Sequence, residues 1–421
     1  MIARARARLA WVLLAAGGLI AGWMVWVGEV HTQWEDIAHY RMMEWQGAGP
    51  ARESGLVQIK IQDLSDEAWP WPHLDYAILL HALAPFQPEV LALDLPLEYP
   101  DTLHPVYERQ LSRQMKSFRD VVLAAKPSLE TRPNQVPPGV EPLSESGISF
   151  RLPFAGSARW PIESYQGNNR ISLSATTGVE SGRVPLIFRL GRSLVPAFPL
   201  VIYGKSIGVY WPHCEWQPGE DIILRDYQKA VLARIPVDIQ GRLRMVPSRL
   251  LPPPLEVEFY TAVLSAEQIH NEARPLFDLN KMRRQLVLVS MEHPDTVTPV
   301  VTPDGMAYPG GIQAHVLQQL LLRETREFAP PLVGFVLLLA AAVMATWAGQ
   351  LDQTLQALLG LGGLLFFLAL DSAFSLFVLK MTLPLGAVLT AIASSWLLAF
   401  TWRGLLDWDA SKNTTPDVQS T

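Results

Sequence analysis

The sequence predicts an α/β extracytoplasmic domain, a mixed sheet covered by helices, with one transmembrane helix before it and three after it. Three observations support this fold class. Apolar residues are concentrated at the two ends of the 421-residue chain. Between those ends, strand-like runs alternate with helix-like runs, which is typical of a sheet covered by helices. The charged share, 18%, is also below the roughly 25% of an ordinary soluble domain.

The N-terminal run predicts a membrane anchor. Arg4, Arg6 and Arg8 precede an almost unbroken apolar stretch at 9–27, which is close to the roughly 20 residues that span a bilayer. A cleaved signal peptide is the alternative, but its apolar core is usually only about 7–15 residues long. This run is longer and ends near Trp26, a residue type that suits the membrane interface. We therefore expect an uncleaved helix with its arginines in the cytoplasm.

Three apolar runs near the C-terminus predict three more membrane helices, at 332–349, 355–379 and 383–402. Their connectors are too short to be domains. The predicted organisation is a cytoplasmic N-terminus with transmembrane helix 1 at 1–29, an extracytoplasmic domain at 30–328, three helices at 329–402 and a short cytoplasmic tail at 403–421. The middle run decides the topology, because the tail returns to the cytoplasm only if that run crosses the bilayer.

Two features of these runs leave alternatives open. Asp371 lies inside the middle run, where a carboxylate is costly unless it is near the interface or serves a function within the membrane. Gly18 and Gly22 form a GxxxG spacing, which lets two helices approach closely but also arises by chance in glycine-rich helices. We expect a homodimer or larger oligomer in the lipid bilayer.

The region at 30–328 contains the pattern of a single α/β domain. Strand patterns at 56–63, 90–94 and 121–125 alternate with helix patterns at 73–84 and 106–118. This alternation predicts βαβ units. The proline-rich stretch at 126–143 predicts a surface loop, and 147–254 predicts short strands with extended connections. A buried strand at 284–290 and a helix at 312–322, running toward the membrane, then close the domain.

Four residues of this domain are candidate ligand contacts. Asp63, Asp94 and Asp295 each lie at or just beyond the end of a predicted strand, and ligands of open α/β sheets bind outside those ends. The alternative is that these acids cap helices or accept hydrogen bonds from loop amides. Trp71 lies in the stiff run Trp69-Pro-Trp-Pro72, which forms either a ligand wall or a packing lid over the sheet.

Catalytic chemistry is not expected. Gly204-Lys-Ser-Ile-Gly208 fits a nucleophile elbow centred on Ser206, but Gly208 is followed by Val-Tyr-Trp-Pro, which does not begin a convincing helix. The nine histidines are scattered without metal-ligand spacing, so we expect no metal and no cofactor. A net charge of −6 without a basic, aromatic-rich stretch argues against a nucleic-acid partner. Cys214, the only cysteine, excludes an intramolecular disulfide framework.

Two blocks of this sequence resemble the type-two CHASE domains (cyclase- and histidine-kinase-associated sensory extracellular domains). The opening block contains Ile61-Gln-Asp63, Trp69-Pro-Trp-Pro72, Leu93-Asp94 and Tyr99-Pro-Asp101. The closing block contains Leu286-Val-Leu-Val-Ser290, Asp295, Thr298-Pro299, Pro309-Gly310 and Ile312-Gln-Ala-His315. The resemblance covers roughly residues 30–400, and it implies that the Gly204–Gly208 motif is the end of an apolar helix terminated by glycine. The chain departs from the family pattern at His73, where arginine is usual, and at Gln62, where an acid is common.

The resemblance implies a protein that receives a signal outside the cytoplasm and passes it to a cytoplasmic cyclase, kinase or phosphatase domain. The stretch at 403–421 is much shorter than the roughly 40 residues that a small fold needs. We therefore expect a sensor of the bacterial inner membrane, with its large domain in the periplasm, that has no output domain and acts through a separate signalling protein. The alternative is an architectural docking subunit of an envelope complex.

Overall fold

The computed structural model describes residues 2–27, 33–45, 53–62, 71–101, 104–128, 136–143, 152–155, 157–167, 169–174, 179, 182–191, 193–293, 297–328, 331–351, 354–377 and 381–413. The chain divides into two compact units. One unit is Met1–Met43 together with Glu327–Thr421, and the other, called here the sheet unit, is Glu44–Arg326. The sheet unit thus begins later than the residue 30 expected from the sequence.

Helices and strands are numbered in chain order. The helices are α1 (Ile2–Val27), α2 (Gln33–Glu44), α3 (His73–Leu83), α4 (Pro105–Met115), α5 (Glu163–Gln166), α6 (Phe198–Ile207), α7 (Phe259–His270), α8 (Pro309–Leu322), α9 (Pro331–Gly349), α10 (Thr354–Phe377) and α11 (Leu385–Asn413). The strands that build the central sheet are β1 (Leu56–Ile61), β2 (Val90–Asp94), β3 (Val121–Ser128), β5 (Ser157–Arg159), β6 (Arg170–Leu173), β14 (Leu255–Glu258) and β15 (Leu286–Met291).

The remaining strands form small ribbons of two or three strands. They are β4 (Phe154–Ala155), β7 (Arg183–Pro185), β8 (Ile187–Leu190), β9 (Ser193–Pro196), β10 (Glu215–Trp216), β11 (Asp221–Arg225), β12 (Val231–Pro236), β13 (Arg242–Arg244), β16 (Val300–Thr302), β17 (Gly305–Ala307), β18 (Glu327–Phe328) and β19 (Met381–Thr382). The short strands expected at 147–254 are therefore present among the described residues, but helices α5 and α6 also lie in this stretch.

The central sheet is mixed, as predicted. Its parallel strands run in the order β14-β1-β15-β2-β3-β6, and β5 pairs antiparallel with the end of β3. The strand predicted to close the domain is instead central, because β15 lies between β1 and β2. Every residue of β15 is buried. Its apolar composition is typical of a parallel strand covered on both faces.

The two faces of the sheet differ in chemistry. Side chains alternate along a strand, so Val57, Ile59 and Ile61 of β1 share one face with the other odd-numbered positions. That face packs against α3, α4 and α7 in a large apolar core. The opposite face is covered by α6 and α8. Its even-numbered positions include Gln58 and Ser290, both fully buried.

Several elements of the sheet unit differ from the sequence prediction. Strand β14 and helix α7 occupy a stretch for which no element was predicted, and they add a further parallel strand and covering helix at the sheet edge. Strand β3 continues to Ser128, inside the predicted loop, because its end pairs with β5. Helix α8 begins at Pro309 rather than at residue 312. Proline at the first helical position explains this earlier start.

The second unit contains a helix at each of the four predicted membrane runs. Helix α1 packs on α11, where a Cβ on Gly22 would lie 2.8 Å from the Ala391 Cβ and 2.8 Å from the Ala387 carbonyl oxygen. A Cβ on Gly18 would likewise collide with the Ser395 side chain of α11. The GxxxG spacing is therefore used for close approach within one chain, and the homodimer remains a prediction.

Membrane-spanning length is reached by one described helical stretch, Leu385–Arg403. The other apolar stretches in the described helices are shorter, at Ala10–Val25, Val333–Gly349 and Gln356–Ser372. Asp371 lies at the end of the last of these and is exposed. Helix α11 continues to Asn413, beyond the predicted boundary at 402, so the first part of the predicted tail is helical.

Candidate functional site

A strip of polar side chains is buried between the central sheet and α8. It is called here the polar strip, and its members are Gln58, Asp94, Ser174, Ser290, Glu292 and Gln313. All but Gln313 lie on or just after strands of the sheet, while Gln313 lies on α8. Buried polar groups are costly unless they are hydrogen-bonded, so the contacts within this strip decide what it can do.

Glu292, just after β15, is held by side chains of the neighbouring strand β1. The Gln58 side-chain amide donates to Glu292 Oε1 at 2.7 Å and to Ser290 Oγ at 3.0 Å. Lys60 Nζ lies 3.6 Å from Glu292 Oε2 and 2.8 Å from Glu256 Oε1. Burial raises the pKa of Glu292, against the lowering effects of Lys60, Gln62 and Gln58. This carboxyl therefore holds a proton more readily than an exposed glutamate does.

The first turn of α8 lies directly on this part of the sheet. A Cβ on Gly310 would lie 2.6 Å from Ser290 Oγ and 3.3 Å from Glu292 Oε1, so only glycine fits there. A Cβ on Gly311 would lie 3.6 Å from the same Glu292 oxygen, an ordinary contact distance. The glycines thus bring the N-terminus of α8 next to a carboxyl group, whose charged form a helix N-terminus stabilises.

Asp94 forms the second half of the polar strip. Ser174 Oγ lies 3.2 Å from Asp94 Oδ2 and donates to it, and the Gln313 amide donates to Ser174 Oγ at 3.3 Å. Burial raises the pKa of Asp94, more than the nearby Lys126 and the Ser174 hydrogen bond lower it. These hydrogen bonds link α8, through Ser174 just after β6, to Asp94 at the end of β2.

The remainder of α8 is fixed by side chains that bind the backbone of the 244–252 loop. Gln319 donates to the Arg244 carbonyl at 2.8 Å and accepts from the Val246 amide at 3.2 Å. His315 Nε2 donates to the Val246 carbonyl at 2.8 Å, and burial lowers the pKa of this histidine. Gln318 donates to the Pro252 carbonyl at 2.8 Å. These hydrogen bonds attach α8 to this loop along most of its length.

Of the four residues proposed as ligand contacts, the structure describes two. Asp63 and Asp295 lie outside the described residues. Asp94 belongs to the polar strip, at the end of β2 where it was predicted. Trp71 lies on the other face of the sheet, where its ring packs against Phe259 at a centroid distance of 5.2 Å. The structure does not bring Trp71 and Asp94 together.

Sequence reasoning missed Glu292, Gln58, Ser174 and Gln313. A usable signal was present for Gln58, because a glutamine between Val57 and Ile59 of an apolar strand must find a buried partner. Gln62, which replaces the acid common in the family, hydrogen-bonds Glu292. An amide can donate to a carboxylate, whereas an acid in its place would repel it.

The motif around Ser206 has a structural role. Helix α6 ends at Gly208, whose φ of +78° is the left-handed conformation that glycine adopts after a helix. Ser206 lies on the last turn, and its hydroxyl donates to the Tyr203 carbonyl at 2.8 Å. The motif is thus the end of a helix, as predicted, and not a strand-to-helix turn. Within the described ranges, no His, Cys, Asp or Glu cluster could hold a metal ion.

A family model for the CHASE2 domain matches residues 11–348, which is most of the chain. This chain belongs to the CHASE2 domain family. CHASE2 domains are extracellular sensory domains, so the match indicates a sensory role and a membrane protein with its sheet unit outside the cytoplasm. Comparison with curated proteins and with solved structures gave no match.

Proposed function

We propose that this CHASE2 protein is a multi-pass sensor of the bacterial inner membrane, with the sheet unit in the periplasm. In this proposal one membrane helix, α1, precedes the sensory domain, and three helices, α9 to α11, follow it. The family match supports the sensory role, and the apolar helices at both ends of the chain support the membrane arrangement.

The observation that carries the proposal is the position of α8 in the chain. Its first turn contacts the polar strip through Gly310, and its last residue, Leu322, precedes α9 by only the short stretch at 323–330. A change at the polar strip is therefore applied to the last helix before the membrane segment. A displacement of α8 would be passed to α9 along a short, covalent connection.

A signal acts on such a helix by favouring one of two positions. A ligand or proton shifts a two-state equilibrium only by the difference in its affinity for the two states. Glu292 and Asp94 supply such a difference, because both are buried carboxyl groups whose surroundings depend on where α8 lies. In this proposal, stimulation alters the contacts of these carboxyl groups and α8 responds.

Transmission of a change from Glu292 through α8 to the membrane helices can be measured at the connector between α9 and α10. The proposed topology places this connector in the cytoplasm. A Gln350→Cys reporter in inverted membrane vesicles is labelled with a maleimide. Adding Glu292→Gln to the reporter chain should change the labelling rate, whereas the control Glu267→Gln, an exposed position on α7, should not. Equal rates in all three reporter chains would overturn the proposed route through α8.

The second part of the proposal is that this chain acts through a separate signalling protein. We expect the chain itself to form a homodimer or larger oligomer in the membrane. The alternative remains an architectural docking subunit of an envelope complex. Mild purification of the intact chain from its native membranes distinguishes them by the proteins that co-purify. A cyclase, kinase or phosphatase would support the sensor, whereas envelope-assembly proteins alone would support the docking subunit.

A further inference from the structure

The chain enters and leaves the sheet unit at the end of the central sheet where its parallel strands begin. Strand β1 is the first strand of the unit and starts at this end. Helix α8 runs the opposite way, since its first turn lies beside Glu292. Arg323, the residue after α8, hydrogen-bonds Tyr203 on α6. On the same helix, Lys205 pairs with Asp120 just before β3. The end of α8 is therefore level with the strand starts.

Five exposed basic side chains lie at this end of the sheet. Lys116 and Arg119 lie between α4 and β3, and the other three lie in the turn that precedes β15. The Leu286 amide at the start of β15 donates to the Gly55 carbonyl just before β1, so this turn adjoins the point where the chain enters the sheet. The group is called here the basic end, and its members are Lys116, Arg119, Lys281, Arg283 and Arg284.

The positive charge of the basic end is largely free. Arg119 lies 3.7 Å from Asp120, but its side chain is 87% exposed, and the same carboxylate already pairs with Lys205. The other four basic side chains have no ion-pair partner among the residues that the structure describes. The exposed acidic residues that precede strands at this end are Glu53, Glu89 and Asp278. The excess is therefore positive, although the whole chain has a net charge of −6.

Local structure does not account for this charge. Cations near a helix C-terminus stabilise the helix dipole, which explains Lys116 directly after α4. Arg283 and Arg284 precede a strand instead. Arg284 has a φ of +58°, a conformation for which arginine has no preference. The two arginines are therefore better explained by something that they contact outside the sheet unit.

The proposed topology identifies a negatively charged surface that is tethered to this end. Both ends of the sheet unit continue into membrane helices, through α2 to α1 and through the stretch at 323–330 to α9. Even fully extended, that second stretch reaches at most about 30 Å. Anionic phospholipids make a membrane surface negative, and each Lys or Arg close to it contributes roughly fivefold to binding. The bilayer surface thus has the charge that complements the basic end.

We propose that the basic end binds anionic phospholipid headgroups on the outer surface of the membrane that anchors the chain. The proposal rests on the function proposed above, because it requires the sheet unit to lie outside the cytoplasm. The basic side chains stay in the hydrated headgroup layer, so the contact is electrostatic and weakens as salt increases. It fixes the end of the sheet unit from which α8 leaves toward α9.

Fluorescence quenching in nanodiscs tests this contact with the full chain. A fluorophore is attached to Ser117→Cys, an exposed position next to Lys116, and the buried Cys214 supplies the background. The nanodiscs contain a phosphatidylcholine with a nitroxide headgroup, which quenches only at short range. We expect stronger quenching when phosphatidylglycerol is added to the phosphatidylcholine, and a smaller difference at high salt. Equal quenching in both lipids would overturn the proposal and leave an acidic segment of a partner protein as the occupant.

Two double variants with the same change in charge locate the contact. Arg283→Gln with Arg284→Gln should lower the ratio of docked to free sheet unit by roughly 25-fold, since each cation contributes roughly fivefold. Arg109→Gln with Arg249→Gln removes two exposed cations outside the basic end and should keep the response to phosphatidylglycerol. Equal losses in both would overturn the assignment to the basic end. Thermal unfolding checks the fold, and Lys281→Gln with Arg283→Gln replaces the first pair if Arg284→Gln is unstable.

The same reporter separates this contact from the topology on which it rests. Ser117→Cys in intact cells is treated with a membrane-impermeant maleimide. Labelling from outside together with quenching that does not depend on phosphatidylglycerol would overturn the lipid contact alone. Labelling only after permeabilisation would overturn the proposed topology.

Discussion

Glu292 follows β15 with its side chain buried beneath α8, and burial raises its pKa above the ordinary value of 4.5. The folded state then holds a proton more tightly than the unfolded chain. Stability contributed by such a group is complete below pH 4.5 and is lost as the pH rises through the folded-state pKa. The protonated carboxyl can also donate a hydrogen bond, whereas the ionised form must be stabilised by Lys60, Gln58 and Gln62.

The prediction from this residue is that Glu292→Gln removes a pH-dependent loss of stability. Its unfolding temperature, relative to that of the unsubstituted chain, should increase as the pH rises above 4.5, because glutamine does not ionise. Thermal unfolding across a pH series measures this difference. The exposed control Glu267→Gln should follow the unsubstituted chain. A constant offset for Glu292→Gln at every pH would contradict the prediction.

Gly310 and Gly311 provide a matched pair for testing how closely the first turn of α8 packs against the sheet. A methyl group at Gly310 would collide with Ser290, and overpacking of this kind costs about 1–3 kcal/mol. Gly311→Ala meets only an ordinary contact and gains helix propensity, up to about 1 kcal/mol. Thermal unfolding should therefore show Gly310→Ala destabilised and Gly311→Ala neutral or stabilised. Equal effects would mean that α8 does not begin against Ser290.

At the scale of elements, the ribbon of β7 and β13 is held by a buried ion-pair cluster. Arg183 Nη1 and Arg242 Nε each lie 2.9 Å from Asp238 Oδ2. The other oxygen, Oδ1, accepts from the backbone amides of Gln240 and Arg242, each at 2.9 Å. Burial opposes ionisation of Asp238, but the two arginines outweigh it and its pKa is lowered.

Asp238→Asn should therefore destabilise the sheet unit strongly. Removing one partner of a buried ion pair costs about 3–5 kcal/mol, because the remaining charge loses its compensation. Asp221→Asn is the matched control, since its pair with Arg234 at 3.5 Å is partly exposed to solvent and should contribute at most about 1 kcal/mol. Urea unfolding compares the two variants. Similar losses in both would show that the cluster does not stabilise the ribbon.

Local elements were largely predictable from the sequence, whereas their arrangement was not. Strand β2 was predicted at its observed bounds, Val90–Asp94. Its four apolar residues and the aspartate that follows them form a strand pattern that is visible within one segment. The insertion of β15 between β1 and β2 depends on pairing between Leu56 and Leu286, which are far apart in the sequence. Periodicity along one segment carries no information about such a partner.

The candidate site was predictable only in part for the same reason. Asp94 was found because an acid at a strand end is visible in one segment. The contacts of Glu292 involve β1, β15 and the first turn of α8, three segments that only the fold brings together. The ion pair between Lys205 and Asp120 likewise joins α6 to the start of β3. Side chains that function through long-range contacts are identifiable only when the topology is known.

At the scale of the whole molecule, the two units differ in chemistry. The sheet unit belongs to the CHASE2 family match and has buried carboxyl groups under α8, whereas the other unit contains the mainly apolar helices α1, α9, α10 and α11. The family match supports placing the sheet unit outside the cytoplasm. In the proposed topology α9 crosses the bilayer shortly after α8, and this would give the placement of the sheet unit a consequence for signalling.

Thiol labelling in intact cells tests whether the sheet unit lies outside the cytoplasm and the connector between α9 and α10 lies inside it. Lys281→Cys, on the exposed surface of the sheet unit, and Gln350→Cys, after α9, are treated with a membrane-impermeant maleimide. The native Cys214 is buried, so the unsubstituted chain supplies the background. We expect Lys281→Cys to be labelled in intact cells and Gln350→Cys to be labelled only after permeabilisation. Labelling of Lys281→Cys only after permeabilisation, or of both positions in intact cells, would contradict it.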